Sequence, residues 1–70
     1  MEIQNVNSEN ISKTRYCEDN STLEVILKTG SIFLYSEIDK KTYENFTNSY
    51  FKDSYYNKEI KNFFTCFQIK

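Results

Sequence analysis

Apolar and polar residues alternate through Thr22–Leu27. Leu23, Val25 and Leu27 share one side and Glu24 and Ile26 the other, the period-two signature of a strand with one buried face. Residues 11 to 16 predict an earlier strand, and Cys17-Glu18-Asp19-Asn20-Ser21 is a cluster of turn formers between the two. The only glycine, Gly30, then closes a hairpin into residues 31 to 36. A two-residue Thr29-Gly30 loop would force the β-branched Thr29 to positive φ, which is costly. A three-residue Lys28-Thr29-Gly30 loop with Gly30 in the left-handed position avoids that strain and is preferred. It places Phe33 and Tyr35 on the face of Leu23, Val25 and Leu27, and leaves Ile26, Ile32 and Leu34 on the outer face beside Glu24.

The period then changes. Asp39 is placed to N-cap a helix, with Ile38 and Tyr43 at the two positions of a hydrophobic staple. Tyr43, Phe46 and Tyr50 follow at helical spacing as a core stripe. Phe51-Lys52-Asp53 breaks the pattern, and Ser54 is the expected cap of a second short helix with Tyr56, Ile60 and Phe63 or Phe64 on one face. Phe67 and Ile69 predict a final strand or an extended tail. The fold class expected is α+β, a small antiparallel sheet of three strands, four if the tail pairs, packed against two short helices. Residues 1 to 10, mostly polar, are expected to be a loosely held N-terminal segment, and residues 11 to 70 a single domain.

Seventy residues allow one core only. A chain of this size buries about 60% of the surface its unfolded form exposes, so self-association is a reasonable supplement. With 39% apolar residues it is too hydrophobic for disorder, and its charges are too evenly spread for a membrane span. A net charge of −1 argues against a duplex-DNA binder. The charge is asymmetric, however: residues 1 to 39 carry three basic and seven acidic side chains, residues 40 to 70 six and three. Any anion-facing surface therefore belongs to the second half. The first ten residues lack a basic n-region and an apolar h-region, so a cytoplasmic location is expected. Abundant Asn, Lys, Ile, Tyr and Phe, with no Pro or Trp, match AT-rich bacterial and phage genomes.

Candidate chemistry is sparse. The chain has no histidine, and Cys17 and Cys66 lack metal-binding spacing, so no metal and no cofactor is expected and both thiols read as buried apolar fillers. One glycine cannot build a phosphate-cradling loop, and a cysteine nucleophile would have no histidine partner. No enzyme is expected. What remains is aromatic, amide and cationic binding chemistry: Tyr35, Tyr55, Tyr56, Asn57, Lys58 and Lys61, with Lys52 nearby. Stacking plus a few cations holds single-stranded nucleic acid or a nucleotide. Nine of the twelve aromatics lie between Tyr43 and Phe67, and a domain this small needs most of them for its core.

The order of several stretches resembles the KTSC domain, a short module found alone in bacterial and phage proteins and at the C-terminus of some lysyl-tRNA synthetases. They are Asn10-Ile11 and Tyr16, Leu23-Glu24-Val25 before the Gly30 turn, Phe33-Leu34-Tyr35 where that family tends to have Tyr-x-Tyr, Tyr43, and Tyr55-Tyr56-Asn57 followed by Ile60-Lys61. The resemblance implies a binding module, with RNA as the suggested ligand. Position 34 is apolar here where the family often has a charge, which makes Ile26, Ile32 and Leu34 a candidate interface. Two readings follow: a non-enzymatic binder of RNA or a nucleotide-like ligand, or a protein-interaction module, such as a phage-encoded inhibitor of a host protein, acting as a homo-oligomer. A homodimer through the outer face is expected.

Overall fold

The computed structural model describes residues 2–6 and 8–70, the side chain of Glu2 excepted. The elements are β1 (Glu2–Asn5), β2 (Ile11–Cys17), β3 (Thr22–Leu27), β4 (Ile32–Tyr35), α1 (Lys40–Asn48), α2 (Lys52–Tyr55), which runs on into a π-helical turn (Tyr56–Ile60), and β5 (Cys66–Gln68). The strands form one antiparallel sheet in chain order, with β1 and β5 at its edges. The helices connect β4 to β5 and cover one face.

The strand count corrects the expectation of three or four: the sheet has five. β1 carries no alternation, because only Ile3 among its four residues is apolar, and it is held by backbone pairing to β2 with Ile3 opposite Arg15. The tail pairs as well, with Phe67 opposite Leu34 and Cys66 opposite Tyr35.

The hairpin register follows the turn. The Gly30 N–H donates to the Leu27 carbonyl at 3.0 Å and the Leu27 N–H to the Ser31 carbonyl at 2.9 Å, enclosing Lys28-Thr29-Gly30. Gly30 has φ +97°, the left-handed region that favours glycine. Leu23 then faces Tyr35 and Val25 faces Phe33, so aliphatic and aromatic side chains share the covered face. Ile11, Tyr16, Leu23, Val25 and Tyr35 from the sheet meet Ile38, Tyr43, Phe46, Tyr56 and Ile60 in one buried cluster. The Tyr16 and Tyr43 rings stack at 4.3 Å, and the Tyr16 hydroxyl donates to the Ile38 carbonyl at 2.8 Å.

α1 starts where its cap signal lies. The Asp39 carboxylate accepts from the Thr42 N–H at 2.8 Å, and the flanking Ile38 and Tyr43 are both buried. The helix stops at Asn48, with Ser49 turning to extended backbone at ψ 135°, one turn short of the expected stripe. Tyr50 therefore lies beyond it and is 90% exposed rather than in the core. The second helix also starts earlier than expected, at Lys52 after Phe51, so Ser54 lies inside it and caps nothing. Phe64 packs against the core while Phe63 is exposed.

Two substitutions test this packing. Cβ space at Gly30 is open, so Gly30→Ala should cost only the backbone strain of positive φ, about 1–2 kcal/mol in denaturant unfolding. Thr14 is fully buried on the covered face and its Oγ1 has no hydrogen-bond partner among the described residues. The near-isosteric Thr14→Val should raise stability by about 1 kcal/mol, since an unpaired buried hydroxyl carries an unreturned desolvation cost. A loss of stability in Thr14→Val would place a partner on that hydroxyl.

Candidate functional site

A cleft of about 410 Å³ opens between the β3–β4 end of the covered sheet face and the second helix. Its floor is apolar, built from Leu27, Phe33 and the rings of Tyr35 and Tyr56, while Asn10, Thr29, Asp53, Asn57, Lys61 and Cys66 add polar groups. Leu27 and Phe33 reach it because the Gly30 turn sets their register on the inner face.

The helical wall is a stripe at intervals of four residues: Asp53, Asn57 and Lys61. In a regular α-helix such a stripe drifts around the axis, since a turn holds 3.6 residues. Here the backbone widens into a π turn, and the Lys61 N–H donates to the carbonyl of Tyr56, five residues back, at 2.8 Å. The wider turn holds Asn57 and Lys61 in line toward the cleft while Tyr56 and Ile60 stay buried. Asp53 also ties the two walls together, because its Oδ2 accepts from the Glu9 N–H at 2.9 Å. The loop carrying Asn10 is thereby anchored to the helix.

Tyr35 and Tyr56 meet at the floor with their hydroxyl oxygens 2.6 Å apart and their rings edge to face at 5.8 Å. Burial is the main reason that the Tyr35 phenol is raised far above its ordinary value, and its bond to Tyr56 adds to the effect. Burial raises Tyr56 as well, against a smaller opposing contribution from the same bond. Both stay neutral at ordinary pH. The Cys66 side chain, hydrogen-bonded to Tyr35, raises that phenol further and ties the pair to the cleft rim.

Of the residues singled out in the sequence, Tyr35, Tyr56, Asn57 and Lys61 line this cleft together. Tyr55 and Lys58 do not: they line a shallower depression of about 220 Å³ with Ser49, Phe51, Ser54 and Glu59. Adjacent helical residues point in different directions, so the run 55 to 58 is split between two faces. Asn10, Leu27, Thr29, Phe33, Asp53 and Cys66 were not anticipated. The four-residue spacing of Asp53, Asn57 and Lys61 was the one local signal available, and the others come from distant strands and loops.

Cys66 corrects the expectation of two buried thiols. It is exposed at the cleft rim, because its place opposite Tyr35 turns it to the inner face of an edge strand. Cys17 is half-buried, and both are free. Ile26, Ile32 and Leu34 lie on the outer face, half-buried, with Phe67 next to Leu34. Among the described residues no group of three or more acidic or cysteine side chains is placed to hold a metal ion, and no helix is long and apolar enough to cross a membrane.

The sequence pattern of the KTSC domain matches residues 7–64. The chain belongs to the KTSC domain family. The crystal structure of a KTSC domain protein from Yersinia pestis has the same fold, with a TM-score of 0.92 and 26% identity over 99% of this chain and 97% of that one. No curated protein matches the chain. In this KTSC domain the tyrosine of the central Phe33-Leu34-Tyr35 stretch and that of the Tyr56-Asn57 step are the pair joined at the cleft floor.

That pair gives a measurable prediction. Tyr35→Phe leaves the buried Tyr56 hydroxyl without its partner and should cost about 1–2 kcal/mol, while adding Tyr56→Phe should recover part of the loss, as read by a double-mutant cycle in urea. The pH sign follows from the raised phenols. The unfolded chain ionises its tyrosines near pH 10 while the native pair holds its protons. Stability from the pair is therefore full below about pH 10 and declines as pH rises above it, and the decline should be shallower in the double variant.

Proposed function

We propose that this KTSC domain is a non-catalytic binding module whose cleft takes a nucleotide-like ligand, either a free nucleotide or one unpaired RNA base with its phosphate. One observation carries the reading: the cleft joins an apolar, aromatic floor to a rim with amides, one carboxylate and one ammonium. Its volume, about 410 Å³, is within the usual range of small-molecule sites. A base would lie over Phe33, with the Asn57 amide at its polar edge and Lys61 at the phosphate. The Asp53 oxygen not engaged by Glu9 is an acceptor for a ribose hydroxyl or an exocyclic amine.

No reaction is assigned to the cleft. The chain has no histidine, and burial keeps Tyr35 and Tyr56 protonated, so neither phenol is a base near neutral pH.

Thermal-shift and calorimetric titration with nucleoside monophosphates, cyclic dinucleotides and short single-stranded RNAs tests the reading. At least one should raise the melting temperature. Lys61→Ala should weaken that ligand by about tenfold or more, the value of one charge-assisted contact. For an RNA, binding should fall with salt at a slope of about −0.7 per phosphate contacted, so a single contact gives a shallow dependence. Folded protein with no response to any of these ligands contradicts the reading.

A further inference from the structure

β5 is an edge strand whose outer side pairs with no strand among the described residues. The Ser36 N–H donates to the Thr65 carbonyl and the Ile69 N–H to the Ile32 carbonyl, so by the alternation of an antiparallel ladder Phe67 is the residue between them that bonds to β4. The N–H and C=O groups of Cys66 and Gln68 then point away from the sheet. Residues 62 to 69 carry no charge, and Phe67 and Ile69 are 59% and 58% exposed beside Leu34 and Ile32 on the outer face. Charge and proline, two of the usual protections of an edge, are missing from Cys66–Gln68; the strand is short, at three residues, and its ladder turns irregular only beyond it, where Ile69 and Lys70 both bond Ile32.

We propose that β5 pairs antiparallel with β5 of a second copy of this chain, about a two-fold axis through Phe67. An antiparallel strand pair is self-complementary, so one edge supplies both halves of the contact, and the absence of charge removes any like-charge repulsion between identical strands. Cys66 then stands opposite the partner's Gln68 and exchanges both backbone hydrogen bonds with it, and Gln68 does the same with the partner's Cys66. Phe67 meets the partner's Phe67 as the closely spaced, non-hydrogen-bonded pair on the outer face, and the apolar strips of the two copies become continuous. On the inner face the contact also reaches the cleft. Cys66 is at its rim, so the partner's Gln68 amide becomes a neighbour of each cleft.

A contact of one short strand with its flanking side chains lies at the small end of specific interfaces, so the dimer is reversible, with a dissociation constant on the order of micromolar. Light scattering or sedimentation from about 1 to 300 μM should show a monomer passing to a dimer. Phe67→Asp sets two carboxylates across the axis and should weaken association by about tenfold or more, with the melting temperature of the monomer kept because Phe67 is exposed. A second variant does not depend on that: in a Cys17→Ser, Cys66→Ser background, Phe67→Cys should give a disulfide-linked dimer on mild oxidation, and Ile3→Cys on the opposite edge should not. A protein monomeric throughout that range, a dimer unaffected by Phe67→Asp, or equal cross-linking of the two cysteine variants overturns the proposal. The last two outcomes would point instead to association through another surface.

Discussion

The three-residue turn at Gly30 is the constraint on which the rest of the domain depends. A shorter loop would have moved the register by one residue and exchanged the two faces of β4. With Gly30 in the left-handed region, Leu27 pairs with Ser31, and Phe33 and Tyr35 join Leu23 and Val25 on the inner face. The buried cluster, the cleft floor and the position of the Tyr35 hydroxyl all follow from that choice. So does the apolar outer face, because the alternation that turns Phe33 and Tyr35 inward turns Ile32 and Leu34 outward.

The helical side is built to meet that floor. Burying Tyr35 and Tyr56 would be costly for two lone phenols, and their mutual 2.6 Å hydrogen bond satisfies both while joining β4 to the π turn. The π turn brings Asn57 and Lys61 into line with Asp53, and Asp53 holds the loop before β2 through Glu9. An apolar base and a varied polar rim are thus held on elements locked by packing, which is what a site needs to bind without first ordering itself. Burial keeps both phenols at that floor protonated near neutral pH.

Much of this was legible in residues with a strong local signal. The alternation in β3, the cap at Asp39 and the turn at Gly30 each have a short-range cause, and each is found where the pattern placed it. β1 was not legible, since an edge strand held by backbone pairing needs no apolar alternation, and its count overturned the expected sheet. Tyr50 kept the helical spacing in sequence, but α1 ends at Asn48 before that spacing is realised. In the cleft, Tyr56, Asn57 and Lys61 stood out as a cluster, while Tyr55 and Lys58 came with them only by adjacency. Phe33, Thr29 and Asn10 reach the cleft from strands and loops far apart in the chain, and no local pattern predicts that meeting.

The same short chain therefore carries two surfaces of different character, a mixed-polarity cleft on the helical side and an uncharged apolar edge and face on the other. The most direct measurement of the cleft's role is an amide-resonance titration of the ¹⁵N-labelled protein with a nucleoside monophosphate and with a short single-stranded RNA. Binding in the cleft predicts saturable shifts at Thr29, Phe33, Asn57 and Lys61, with Ile26 and Leu34 on the outer face unmoved. Shifts confined to the outer face, or none at saturating ligand, would contradict it.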